Sequence, residues 1–227
     1  MNMNFYGNKL LFCTREEFDN LTVDQMEEVD TAFCVGFGRN LPIDYFNMSF
    51  KNKDLSSPSL CLNAAFSVLR HLNNSSRAVF SKEGRFAVNA FDYDRGFTYK
   101  INNRITIESD CGQQTYVKYI TKLGNATLYD IYNDTVQHWV CEKGNTHNIP
   151  KDKSVNVHEY YDVIVNENSV ECTVDFFERG VGKTQTCGSG AFCVGMHLFK
   201  IHGKEVVVKT ENGDKYFVNE NTISIEI

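Results

Sequence analysis

The 227-residue chain has no run of basic residues, and its 23 lysines and arginines are outnumbered by 29 acidic residues, giving a formal net charge of −6. A phosphate backbone or an anionic bilayer gains nothing from such a field, so nucleic acid and membrane are not expected partners. A targeting or spanning segment is missing as well. Met1-Asn2-Met3-Asn4-Phe5-Tyr6-Gly7-Asn8 has neither a basic start nor an apolar stretch, and no apolar run is long enough to cross a bilayer. A soluble, cytoplasmic protein is expected. There is no Cys-x-x-Cys pair, and Cys187 stands six positions from Cys193, almost two helical turns, so no zinc site or other metal site is expected. The eight cysteines are spread over a chain with ample apolar content for a core, which argues for reduced thiols rather than a disulfide scaffold. Cys13, Cys34, Cys141 and Cys172 lie in apolar or alternating runs and read as small core residues.

What is present is a polar, glycine-rich segment, Glu178-Arg179-Gly180-Val181-Gly182-Lys183-Thr184-Gln185-Thr186-Cys187-Gly188-Ser189-Gly190, running directly into the apolar stretch Ala191 to Phe199. A strand-like run, Ser169 to Phe177, precedes it. Strand, tight loop and buried helix therefore follow one another, with Cys187 at the helix start. A thiol there lies in the positive end of the helix dipole beside backbone N–H groups, which favours the thiolate.

The first half repeats the arrangement. Cys61-Leu62-Asn63-Ala64-Ala65-Phe66-Ser67-Val68-Leu69-Arg70-His71-Leu72 aligns without a gap on Cys187 to Leu198, and about half the positions are identical. Internal similarity of this kind points to a duplicated chain. The expected organisation is an α+β protein of two pseudo-symmetric halves, each a β-sheet wrapped around a central apolar helix. Residues 1–111 hold Cys61 and residues 112–227 hold Cys187, and the last strand is free to return to the first half.

Along the chain, strands are expected at Phe5–Cys13 with the turn Gly7-Asn8, and at Ala32–Phe37, with a short helix between them at Thr22–Asp30. Alternation from Arg77 to Ile107 includes a hairpin at Asn102-Asn103, and Asp110 to Gln114 is the candidate linker. Further strands are expected at Thr115–Ile120, Ala126–Tyr132, Val136–Cys141, Glu205–Lys209, Lys215–Val218 and Thr222–Ile227; Val157–Val165 suits either a helix or a strand. His71, His138 and His197 fall in apolar stretches and read as structural. Gly182-Lys183-Thr184 mimics the end of a phosphate-binding loop, but that motif requires glycine where Phe177 stands.

Two helices that each begin with a cysteine can together hold a carboxylate on their N-termini. With a substrate between two sulfurs, one thiolate can remove the proton beside the carboxylate while the other thiol returns one to the opposite face. That chemistry inverts a stereocentre and calls for no cofactor. The developing enolate-like charge needs preorganised donors, for which the backbone amides at Leu62, Asn63, Gly188 and Ser189 are candidates.

Glu-Arg-Gly-x-Gly-x-Thr-x-x-Cys-Gly-Ser-Gly at Glu178–Gly190 resembles the second cysteine motif of the diaminopimelate epimerases, two-domain enzymes that work without a cofactor and carry one cysteine per domain. Phe50 to Ser56 is similar to the family's Phe-x-Asn-x-Asp-Gly-Ser, Gly7-Asn8 to its N-terminal Gly-Asn, Val35-Gly36-Phe37 to its Val-Gly-Phe, and Asn156-Val157 to its Asn-Val. The resemblance implies Cys61 and Cys187 as the acid–base pair. It implies Asn8, Asn52, Asn156, Glu178 and Arg179 as binders of the substrate's amino and carboxylate groups, Arg179 being suited to grip a carboxylate and Glu178 an ammonium. The implied reaction is conversion of LL- to meso-diaminopimelate in lysine biosynthesis, on a small amino-acid substrate, by a protein that could be a homodimer.

Three departures bear on the substrate. The family's Cys-Gly-Asn-Gly is Cys61-Leu62-Asn63-Ala64 here, its Gly-Asn-Pro-His is Thr135-Val136-Gln137-His138, and Arg39 stands where many members have glutamine. They favour, as an alternative, a racemase of another amino acid such as histidine, although the histidine racemases lack the Glu-Arg-Gly kept here. A non-catalytic amino-acid-binding paralogue is the third reading, which two intact cysteines oppose.

Overall fold

Alternating side chains produce strands over most of the chain in the structure, a computed structural model that describes residues 1–36, 45–58, 60–74, 81–88, 96–109, 117–131, 137–145, 149, 155–179 and 181–227. The loop at 38–42 with Arg39, the linker at 110–114, and Thr135, Val136 and Gly180 lie outside the described residues. The chain divides into two compact units, Met1–Gln114 with Ser224–Ile227, and Thr115–Ile223.

The first unit opens with a hairpin of β1 (Asn2–Phe5) and β2 (Asn8–Cys13). Its turn is Tyr6-Gly7, both with positive φ (53° and 85°), and the Gly7 N–H donates to Asn4 Oδ1 at 2.9 Å. Two left-handed residues match the twist of paired strands, so the turn expected at Gly7-Asn8 falls one residue earlier, and Asn8 opens β2. A helix absent from the expectation follows, α1 (Arg15–Asp19), opened by a capping box in which Thr14 and Glu17 bond each other's backbone N–H. The helix expected at Thr22–Asp30 is instead one 3₁₀ turn, Asp24–Met26, without a side-chain cap on Val23. The Thr22 N–H and hydroxyl both donate to Gln25 Oε1, and Met26 and Val29 anchor the stretch against Cys13, Phe18, Ala32 and Cys34. Two apolar anchors three residues apart fasten a loop but make no helical stripe.

Next come β3 (Thr31–Gly36), β4 (Tyr45–Asn52), α2 (Leu62–Asn74), β5 (Glu83–Val88), β6 (Gly96–Ile101) and β7 (Arg104–Ser109), the last two joined at Asn102-Asn103 as expected. β1 and β2 are antiparallel, β2 and β3 parallel, β3 and β4 antiparallel, β4 and β5 parallel with α2 as the crossover, and β5 and β6 antiparallel. α2 buries Leu62 to Ser67 and Leu69, and Phe66 stacks on Phe5 with ring centroids 6.2 Å apart. The guanidinium of Arg70 lies over Phe5 and Tyr6 and donates to the Glu226 carbonyl at 2.9 Å.

The second unit contains β8 (Val117–Leu123), β9 (Ala126–Ile131), β10 (Gln137–Glu142), β11 (Asn156–Val165), β12 (Ser169–Glu178), β13 (Gly182–Thr184), α3 (Gly188–His202), β14 (Glu205–Lys209) and β15 (Lys215–Asn219), and the last strand, β16 (Thr222–Glu226), begins in this unit and has its residues from Ser224 onward in the first. The 157–165 stretch is therefore strand, paired along β12 and bulged near Asp162, whose φ is 50°. β9 and β10 are antiparallel, β10 and β11 parallel, β11 and β12 antiparallel, β12 and β14 parallel with α3 as the crossover, and β14 and β15 antiparallel. This is the pairing sequence of the first unit. The sequence similarity at the two cysteines thus has a topological counterpart that runs through five successive pairings.

α3 packs closely on its sheet at two glycines. A Cβ on Gly195 would lie 2.4 Å from Val218 Cβ on β15, and one on Gly190 would lie 2.4 Å from the His158 ring on β11. Among the described residues, no helix is long and apolar enough to cross a membrane.

Candidate active site

Cys187 ends an extended stretch (φ −142°, ψ 110°) and caps α3 with its own sulfur, which accepts from the Gly190 N–H at 3.4 Å. Its carbonyl accepts the first helical bond, from Ala191 at 2.8 Å, and Ser189 Oγ lies 3.2 Å from the sulfur. The thiol occupies the position usually given to Ser, Thr, Asp or Asn. Cys61 stands likewise one residue ahead of α2, with its carbonyl accepting from Ala65 at 3.1 Å. Its sulfur lies 4.0 Å from the hydroxyl of Thr31. Leu62 and Asn63 are buried in the first turn of α2, as Gly188 is in that of α3, where Ser189 is partly exposed.

The other described thiols, Cys13, Cys34, Cys141, Cys172 and Cys193, are free and buried, as Cys187 is, while Cys61 is partly exposed. Burial pushes Cys141 and Cys172 up to about 12 and raises Cys13 and Cys34; Cys193 is driven well up by burial and by the neighbouring Cys187. Such groups are inert at neutral pH.

Around Cys187, the glycine-rich segment is folded back as a hairpin rather than left as an open loop. β13 pairs with the end of β12, Glu178 opposite Gly182 and Phe176 opposite Thr184. Thr184 Oγ1 donates to Glu178 Oε1 at 2.9 Å, and the Arg179 N–H donates to Asn156 Oδ1 at 2.8 Å. The first bond orients the Glu178 carboxylate and the second fixes the backbone that carries Arg179.

Around Cys61 the matching position to Glu178 is Asn52. Each is the last residue of the strand leading to the helix, and each stands nine residues before its cysteine. Asn52 donates from Nδ2 to Ser56 Oγ at 3.1 Å, and its N–H bonds the Ser56 carbonyl. Asn8 opens β2 almost fully buried, and among the described residues its Oδ1 has no hydrogen-bond partner. A buried acceptor without a donor carries a cost that a ligand's N–H would remove.

Sequence reasoning missed Thr31. Register identifies it: Thr31 opposes Asn52 in the first unit, where Asn156 precedes the Val157–Phe177 pair in the second. The histidines also separate. His71 is exposed, His197 lies 2.8 Å from the Tyr129 hydroxyl through Nδ1, and His138 is buried against His158. Among the described residues, no group of three or more His, Cys, Asp and Glu side chains is arranged to hold a metal ion.

No family model matches the chain. Its fold is similar to that of solved structures of the phenazine biosynthesis protein PhzF family. The Bacillus anthracis member has a TM-score of 0.65 at 11% identity, over 100% of this chain and 92% of that one. The Enterococcus faecalis member has a TM-score of 0.59 at 12% identity, over 99% and 92%. A predicted epimerase from Pseudomonas aeruginosa gives 0.60 at 10% identity, over 99% and 93%. The chain therefore has a PhzF-like, two-unit, mostly β fold, an architecture shared with the diaminopimelate epimerases.

Proposed function

We propose that the protein is a cofactor-independent amino-acid epimerase or racemase in which Cys61 and Cys187 are the acid–base pair, with diaminopimelate as the first candidate substrate. The observation that carries this reading is the placement of a cysteine at the head of the crossover helix in each unit, after strands whose last residues, Asn52 and Glu178, stand at the same offset. One thiolate takes the α-proton while the other thiol donates its own to the opposite face; the product leaves with inverted configuration and the two sulfurs have exchanged protonation states. The carboxylate rests on the first-turn amides at Leu62, Asn63, Gly188 and Ser189, where the dipoles of both helices stabilise the charge that builds up as the proton leaves. Asn8, Asn52, Asn156 and Glu178 receive the amino group, and the Arg179 guanidinium takes the distal carboxylate that diaminopimelate presents. The predicted epimerase among the similar structures supports an isomerase of this general kind.

A second reading keeps the reaction and changes the substrate. Leu62 replaces a glycine in the resembled motif and is buried in the first turn of α2. In another resembled motif valine stands at position 136 in place of an asparagine. The two departures favour another amino acid such as histidine. The test is α-hydrogen exchange in heavy water with reduced protein, no added cofactor and a panel of L-amino acids that includes LL-diaminopimelate. Exchange with diaminopimelate alone supports the first reading, and exchange with another amino acid alone supports the second. No exchange with any of them refutes both and leaves an amino-acid-binding protein.

A further inference from the structure

We infer that His158 is a positioning residue for the Cys187 thiol, acting through Gly190. The inference deepens the two-cysteine reading and rests on it for its catalytic consequence, though not for its geometry. His158 on β11 and His138 on β10 are 0% and 3% exposed, and His138 Nδ1 lies 2.9 Å from His158 Nε2. Their rings are near-parallel, 23° apart with centroids at 5.2 Å, and Phe176 meets His158 edge-on at 5.5 Å. The imidazole is thereby held on two sides. Its third side, the edge formed by Nδ1, Cε1 and Nε2, fills the space a side chain at Gly190 would need, 2.7, 2.4 and 2.6 Å from where a Cβ would stand. Gly190 is the residue whose N–H donates to Cys187 Sγ, over a distance of 3.4 Å. That length is ordinary for an N–H···S contact, and a steric shift at Gly190 moves the N–H relative to the sulfur it caps.

The choice of histidine here is not explained by filling space. Among the described residues, His158 Nδ1 is buried with no hydrogen-bond partner, a cost that a leucine or phenylalanine at the same place would avoid. What the imidazole gains is orientation. Its bond to His138 fixes the ring's rotation, and a fixed ring edge sets how closely the first turn of α3 approaches β11.

The test is a double-mutant cycle on His158 and Gly190, read by the rate at which iodoacetamide alkylates Cys187, with Cys61 in the same sample as internal standard and mass mapping to separate them. Gly190→Ala and His158→Ala should each change the Cys187 rate at least tenfold. The double variant, in which the alanine methyl occupies the space vacated by the ring, should return to within about threefold of the starting protein. Cys61 should stay within about twofold throughout. Independent effects of the two substitutions, or equal changes at Cys61, would overturn the inference. If Gly190→Ala does not fold, His158→Ala and His158→Gln decide the matter, since an unchanged Cys187 rate in both removes the positioning role. Where a substrate is known, His158→Ala should lower kcat with KM nearly unchanged, as a misplaced thiol requires. A Cys187-specific effect in a protein that exchanges no amino acid would leave this inference standing and refute the two-cysteine function.

Discussion

Lowering the pH from about 7.5 to about 5 should remove on the order of 4 kcal/mol of stability through His138 and His197 alone, a large part of the margin of many domains. The cause is three histidines of the unit Thr115–Ile223, His138 and His158 buried and His197 partly buried. Burial lowers His138 to about 3, burial and the neighbouring His138 take His158 well down, and burial with Lys122 and Lys200 lowers His197 to about 4. In the unfolded chain each titrates near 6.5. The folded values lie below the unfolded ones, so the unfolded state binds protons first as the pH falls. The stability is therefore complete above 6.5 and is lost progressively below it, down to about 4 for His197 and about 3 for His138. At about pH 5 the unfolded imidazoles of His138 and His197 are almost fully charged while their folded counterparts are still mostly neutral, a difference of about 2 kcal/mol each, and His158 acts in the same direction. Carboxylates held below their ordinary values, Asp175, Glu17 and Glu171, act only at lower pH and leave this window clear. Urea unfolding between these pH values, followed by fluorescence of Trp139, the only tryptophan and a buried residue of the same unit, measures the effect directly. His197→Gln should remove about 2 kcal/mol of the pH dependence. A total change under about 2 kcal/mol would refute the claim that the fold holds His138 and His197 neutral.

Other expectations follow from the same geometry. Cys61→Ala and Cys187→Ala should each reduce inversion of the active amino acid by at least about a hundredfold in both directions, since each thiol serves as base in one and acid in the other; full activity in either variant would end the two-base scheme. Gly195→Ala places a methyl 2.4 Å from Val218 Cβ and should cost at least about 1–3 kcal/mol in urea unfolding, because neither α3 nor β15 can withdraw without disturbing its packing. Thr14→Ala removes one half of the capping box on α1 and should lower stability by about 1 kcal/mol, with no change in amino-acid exchange.

Much of the strand pattern was legible because period-two alternation is a local property. The hairpin at Asn102-Asn103 and the strands at Glu205–Lys209 and Lys215–Asn219 sit where alternation and turn residues put them. The errors arise where local signals conflict. Thr14 and Glu17 spell a capping box, but with only five helical residues after it the helix shows no apolar periodicity to support the reading. Thr22 to Asp30 carries a good cap and acidic first turn, yet forms one 3₁₀ turn because its apolar residues are used as anchors. The Gly182–Thr184 strand was hidden by its opening glycine, since pairing with Phe176 to Glu178 rather than strand propensity makes it extended.

By itself, the sequence determined that two cysteines head two apolar helices, and that the loop before the second is rich in glycine and polar groups. Those features are set within a dozen residues, by capping, dipole and backbone freedom. Only the tertiary structure decided that Thr31 stands beside Cys61, that Asn156 holds the backbone of Arg179, and that the His158 ring takes the place of a side chain at Gly190. Each of these pairs lies 23 to 32 residues apart in the chain and meets through strand register or helix-on-sheet packing. No local propensity encodes such a meeting; it follows from which face of each strand must be buried once the sheet has formed.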